Sequence, residues 1–157
     1  MKHETQHDRI AEDAISNIWV QYMATQNRIL YQHKMPDGPR YNFDFAYTLT
    51  PGRNVAVIAE VKDRPGWKLR MGSVMLGASK VKQLAEYSES GLAAMFIVRL
   101  PKMGVYYHHV TKRTMSFPID WMGRQDRDDD RDEEPCYMIP LSYFKKCYGL
   151  EHTWNGQ

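Results

Sequence analysis

Val55-Ala56-Val57-Ile58-Ala59-Glu60-Val61-Lys62-Asp63 decides the fold: an apolar run that ends in a carboxylate and an ammonium two positions apart. Apolar residues at both odd and even positions mark a strand covered on both faces, and strand side chains alternate with period two. Glu60 and Lys62 therefore share one face, while Val57, Ala59 and Val61 keep the other in the core. Charges are costly to bury without partners, so a polar tip on such a strand is either its emergence into solvent or a site.

Upstream, Tyr41, Phe43, Phe45, Tyr47 and Leu49 alternate with Asn42, Asp44, Ala46 and Thr48, the pattern of a half-buried strand. The turn chemistry of residues 36–41 precedes it, and Thr50-Pro51-Gly52-Arg53-Asn54 follows as a hairpin turn. The turn length sets the chemistry. A three-residue loop pairing Thr50 with Asn54 puts Asp44 opposite Glu60, with Cβ atoms about 5 Å apart. A two-residue loop pairs Asp44 with Ala59 and separates the acids, unless a bulge restores the register. Two facing carboxylates repel, and Lys62 with a divalent metal would offset them.

With Asp44 followed by Glu60-Val61-Lys62, the chain resembles the D...(D/E)xK signature of the PD-(D/E)xK nuclease superfamily; Phe43 stands where that family's proline would be. The resemblance covers about residues 8–110. It implies an α/β restriction-endonuclease-like core, a mixed central sheet flanked by helices in the order helix, hairpin, helix, strand, strand. It implies a Mg2+- or Mn2+-dependent deoxyribonuclease that hydrolyses phosphodiester bonds, structure-specific or serving DNA repair or recombination. Asp44 and Glu60 would then hold the metal with the Val61 carbonyl, and Lys62 would position or deprotonate the attacking water. Endonuclease, exonuclease and junction resolvase all stay open.

Residues 4–26 read as a helix, with Ala11, Ala14, Ile15, Ile18, Trp19, Tyr22 and Met23 along one stripe. Glu12 sits on the flank of that stripe, either solvated or a further metal ligand. A second helix is expected over 73–90, its stripe formed by Val74, Gly77, Ala78, Val81, Leu84 and Ala85. Lys80, Gln83 and Tyr87 share its flank. Gln83 to Tyr87 resembles the Gln-x-x-x-Tyr motif of the RecB-type branch, which implies that Gln83 orients the site and Tyr87 touches DNA. Between strand and helix, Trp67, Lys68 and Arg70 lie in a glycine-bounded basic loop. With Lys80, Lys68 and Arg70 suit a phosphate backbone; Trp67 either stacks on a base or folds onto the domain.

The chain has 157 residues, 43% hydrophobic, the size of one domain over 1–157. Arg124 to Glu134 carries three Arg against seven Asp or Glu, a local balance of −4 that leaves +6 for the rest, an excess that suits a polyanion. That acidic run lacks the glycine and closing Glu of a calcium loop and reads as a solvated loop. Cys136 and Cys147 have no zinc spacing and read as reduced thiols. No stretch approaches a membrane span, so a cytoplasmic protein without a membrane partner is expected. Leu92 to Leu100 reads as a central strand and Val105 to Val110 as an edge strand, whose adjacent His108 and His109 point to opposite faces. Tyr137 to Ile139 adds a short strand. Without an attached specificity domain, the chain is expected to act as a homodimer, with a partner protein, or on DNA marked by its own structure. Two other classes compete with the enzyme: a catalytically silent nucleic-acid-binding module of the same fold, and a structural hairpin with a surface ion pair.

Overall fold

A computed structural model describes residues 6–36, 42–122 and 134–149. The turn over 37–41, Tyr41 and the acidic run up to residue 133 lie outside the described residues. Helix α1, Gln6–Thr25, buries Ala11, Ile15, Ile18, Trp19 and Met23 at three- and four-residue spacing. It ends where Asn27 takes a left-handed conformation, φ 63°, and Arg28 N–H donates to Met23 O at 2.9 Å. The chain then forms β1, Tyr31–Lys34, a four-residue strand that the sequence pattern did not signal because its residues are polar or half-exposed.

Strand β2, Phe45–Thr50, and β3, Arg53–Asp63, make the expected hairpin, but across a two-residue loop. Pro51 presets its own φ and Gly52 adopts φ 72°, the order that a type II turn needs. Thr50 pairs with Arg53 and Thr48 with Val55, one step out of the register that would align the acids. A bulge between Tyr47 and Thr48 inserts Ala56, and from there Tyr47 pairs with Val57 and Phe45 with Ala59. Of the alternatives that the sequence left open, the two-residue loop is the one formed, and the bulge returns the strand to the aligned register.

Residues 73–77 are corrected from helix to strand. Ser73–Gly77 is β4 and α2 runs only over Ala78–Glu89, with Gly77 as the residue that precedes its first turn. Val74 and Leu76 are buried by period-two alternation, a signal that Val74 and Gly77 at helical spacing had masked. Helix α2 leads to β5, Ala93–Leu100, which pairs parallel with β3, with Glu60 beside Phe96 and Lys62 beside Val98. Strand β6, Gly104–His109, pairs with β5 and is not an edge, because β9, Lys145–Lys146, pairs with its far side.

The main sheet therefore runs β1-β2-β3-β5-β6-β9, antiparallel except at β3–β5. A second, three-stranded sheet has the order β4-β8-β7, with β7 at Ile119–Met122 and β8 at Glu134–Pro140. Helix α1 covers one face of the main sheet, over Val57, Ala59, Val61 and Ile97. Helix α2 and the second sheet cover the other, over Ala46, Ile58, Phe96 and Val98. This is the α/β restriction-endonuclease-like core, with more strands than the five-element order anticipated. Burying each large apolar side chain stabilises by about 1.5–3 kcal/mol, so β3 and β5, covered on both faces, anchor the layers. Both cysteines are buried.

Candidate active site

The parity of β3 aims Glu60 at the α2 face, alongside Ile58, and the carboxylate is 1% exposed. An acid so deep needs charged partners. Lys62 Nζ lies 3.3 Å from Oε1, and Lys80 Nζ, from the first turn of α2, lies 3.4 Å from Oε2. Lys80 also donates to Asn42 O at 2.8 Å, which ties α2 to the segment leading into β2.

Asp44 lies one residue before β2, in a bend whose N–H donates to Ala59 O at 2.8 Å. Its side chain does not face Glu60 bare: Oδ2 accepts the Val61 N–H at 2.8 Å. That bond fixes the carboxylate against the peptide between Glu60 and Lys62. Phe43, just upstream, packs edge-on against Tyr87 of α2, ring centroids 5.5 Å apart. Of the flank Lys80, Gln83 and Tyr87, two side chains reach the acid-bearing segments, and neither as expected. Tyr87 props the Asp44 segment by ring packing, and Lys80, read as a backbone contact, sits on Glu60. Gln83 is half-buried between them. What the sequence missed was the reach of the Lys80 stem across to β3; only the shared flank hinted at it.

Glu12 is 6% exposed, yet its helix covers the face opposite to Glu60. Lys34 binds Asp13 at 3.0 Å and pairs in β1 with Phe45, so the first turns of α1 stand at the Asp44 end of the sheet. Glu12 is therefore buried near the Asp44 end of the sheet. Among the described residues no group of three or more His, Cys, Asp or Glu side chains is placed to hold a metal ion. The oxygen set is then two carboxylates and the Val61 carbonyl. That set fits a hard cation such as Mg2+, which takes one or two carboxylates and keeps several waters.

Lys68 and Arg70 are exposed on the loop that leaves β3 one residue beyond Lys62. Trp67 folds inward: its indole N–H donates to Ser73 O at 2.8 Å and its ring packs on the core. At the end of β3, Asp63 pairs with Arg99 at 3.1 Å on the α1 face, away from Glu60. His108 is buried and His109 exposed, on opposite faces as the alternation requires. His108 lies between Tyr143 O and Thr114 Oγ1, each at 2.9 Å.

No curated protein matches the chain. Among solved structures, the Holliday junction resolvase Hjc of Archaeoglobus fulgidus is similar over 86% of this chain and 94% of its own, at 16% identity and a TM-score of 0.48. A family model described as "phage putative PDDEXK endonuclease" matches residues 1–147. Nucleases of this kind generally use divalent metals. With that match spanning the α1 helix, the acid-bearing hairpin, the α2 flank and both sheets, the chain belongs to this PD-(D/E)xK nuclease family.

Proposed function

We propose that the chain is a metal-dependent DNA endonuclease whose site is Asp44, Glu60 and Lys62, with Gln83 orienting it. The observation that carries this reading is Glu60, 1% exposed, with Lys62 on the same strand face and Asp44 locked onto the intervening peptide. A fully buried acid in a structural ion pair gains little over an apolar residue of similar volume, whereas a metal site needs it. Asp44, Glu60 and the Val61 carbonyl would hold a divalent cation, which polarises the scissile phosphate and makes its bound water a nucleophile. Lys62 positions that water or, in its neutral form, takes its proton. Lys68 and Arg70, on the loop beginning beside the site, take flanking phosphates, and Tyr87 holds the Asp44 segment while presenting the outer flank of α2 to DNA.

The deciding experiment is a cleavage assay with Mg2+ and with Mn2+ on linear duplex, single-stranded, nicked and four-way-junction DNA side by side. Cleavage of at least one substrate is expected, with Glu60→Gln and Lys62→Met each at least about 100-fold slower, the lower end of what a positioned proton-transfer or charge-stabilising group contributes. Binding without cleavage in either metal would instead identify a catalytically silent DNA-binding module.

A further inference from the structure

Each oxygen of Glu60 has an ammonium group at ion-pair distance, Oε1 from Lys62 and Oε2 from Lys80, and the contact on Oε2 is an ion pair without a hydrogen bond. The second contact is informative because Lys80 also holds Asn42 O, two residues before Asp44. Its charge therefore bridges Glu60 and the segment that delivers Asp44. A divalent ion and an ammonium cannot stand side by side in so dry a place without strong repulsion. One of the lysines must yield. Lys62 is 15% exposed and lies on the same strand face as Glu60, whereas Lys80 is 27% exposed on a helix flank. A lysine ammonium on its flexible stem needs only to swing outward, leaving a single carbonyl for water to satisfy.

Resting on the nuclease reading, we propose that Lys80 and the divalent cation are alternative occupants of the Glu60 Oε2 side. A backbone phosphate, by drawing the Lys80 ammonium onto itself, opens Glu60 to the metal. The site then loads metal readily only when substrate is present, which guards a free enzyme against idle charging. By reciprocity, the metal must also strengthen the hold of Lys80 on phosphate by the same factor.

The test measures Mn2+ affinity by electron paramagnetic resonance on the full chain, as wild type and as Lys80→Met, each free and bound to a phosphorothioate duplex that resists cleavage. Free Lys80→Met should bind Mn2+ about 5- to 100-fold more tightly than free wild type, and the duplex should raise its affinity by a smaller factor than it raises that of the wild type. Acetylation footprinting of wild type, which needs no variant, should show Lys80 becoming more reactive on adding Mn2+ without DNA. An equal or weaker Mn2+ affinity in a folded Lys80→Met, or a Lys80 footprint unmoved while Mn2+ binds, overturns the proposal even if cleavage is intact. If no protein or complex binds Mn2+ and no DNA is cut, the nuclease reading itself fails with it.

Discussion

At the scale of single residues, the site is built less by repulsion between facing acids than by specific partners for each. Asp44 accepts the Val61 N–H at 2.8 Å, so its removal does more than relieve a like-charge contact. Asp44→Ala, without metal, should lose about 1–3 kcal/mol because it leaves a part-buried N–H without its acceptor, and Asp44→Asn, which can still accept, should lose less. Urea denaturation of both variants checks the ordering. A second residue sets a pH dependence two strands across the sheet from Glu60. Burial pushes the His108 imidazole below its ordinary value, against the Tyr143 carbonyl that raises it, with nearby His109 lowering it further. Burial also lowers His109 itself. The neutral ring suits its place: Thr111 N–H donates to Thr114 Oγ1, whose hydroxyl can donate to Nε2 while Nδ1–H donates to Tyr143 O. With both folded values depressed, the unfolded chain takes up protons first as the pH falls, so the contribution is complete above about 6.5 and shrinks below it. Tm should therefore drop between pH 7 and 5.5, and His108→Gln should flatten most of that drop.

Among elements, legibility followed the strength of the local period. Strand β3 and its Glu60-x-Lys62 tip, α1 through Ile15 and Trp19, and β5 could all be read, because long runs with one period leave little choice. The hairpin register could only be posed as alternatives: loop and bulge each shift the pairing by one, and no residue type announces that Ala56 is the extra one. Strands β1, β4 and β7 escaped because four or five residues carry too few repeats to separate period two from 3.6. The second sheet depends on β8 meeting β4 more than 50 residues away, and local pattern does not encode that pairing. It also brings Glu134 of β8 onto Gly77, where its carboxylate fills the space that a Cβ would take at the start of α2. A carboxylate at a helix N-terminus is favourable by about 0.3–1 kcal/mol. Gly77→Ala should push Glu134 aside, a modest loss since only the end of a flexible side chain must move. Gly77→Ala and Glu134→Ala should then be non-additive by about 0.5 kcal/mol or more, as a double-mutant cycle in urea would read. Additive losses would mean that the two do not meet in solution.

For the whole molecule, the question is which end of the sheet meets a polyanion. Two basic regions compete. At the site end, Lys68 and Arg70 stand exposed on the loop leaving β3, close in sequence to Lys62. At the opposite end, where β5 begins, His109, Lys112 and Arg113 line an open cleft with Ser88 and Gly91, though Glu89 approaches Lys112 at 3.9 Å and offsets part of its charge. A nuclease must hold the backbone beside its acids, which favours the site end. Each phosphate neutralised releases condensed counterions and adds about −0.9 to the slope of log affinity against log salt for duplex DNA. The double variant Lys68→Ala/Arg70→Ala should therefore flatten that slope by about 2 and weaken binding across sequences alike. Its Mn2+ affinity as free protein should be unchanged, since neither side chain touches Glu60. Lys112→Ala/Arg113→Ala should leave the slope where it was. Fluorescence anisotropy with a duplex in Ca2+, from 50 to 200 mM salt, gives all three slopes. The reverse pattern, a slope lost only with Lys112 and Arg113, would put the DNA at the cleft where β5 begins, about 10 Å along that strand from Phe96, the neighbour of Glu60, at roughly 3.3 Å per residue, and away from the exposed loop that follows Lys62.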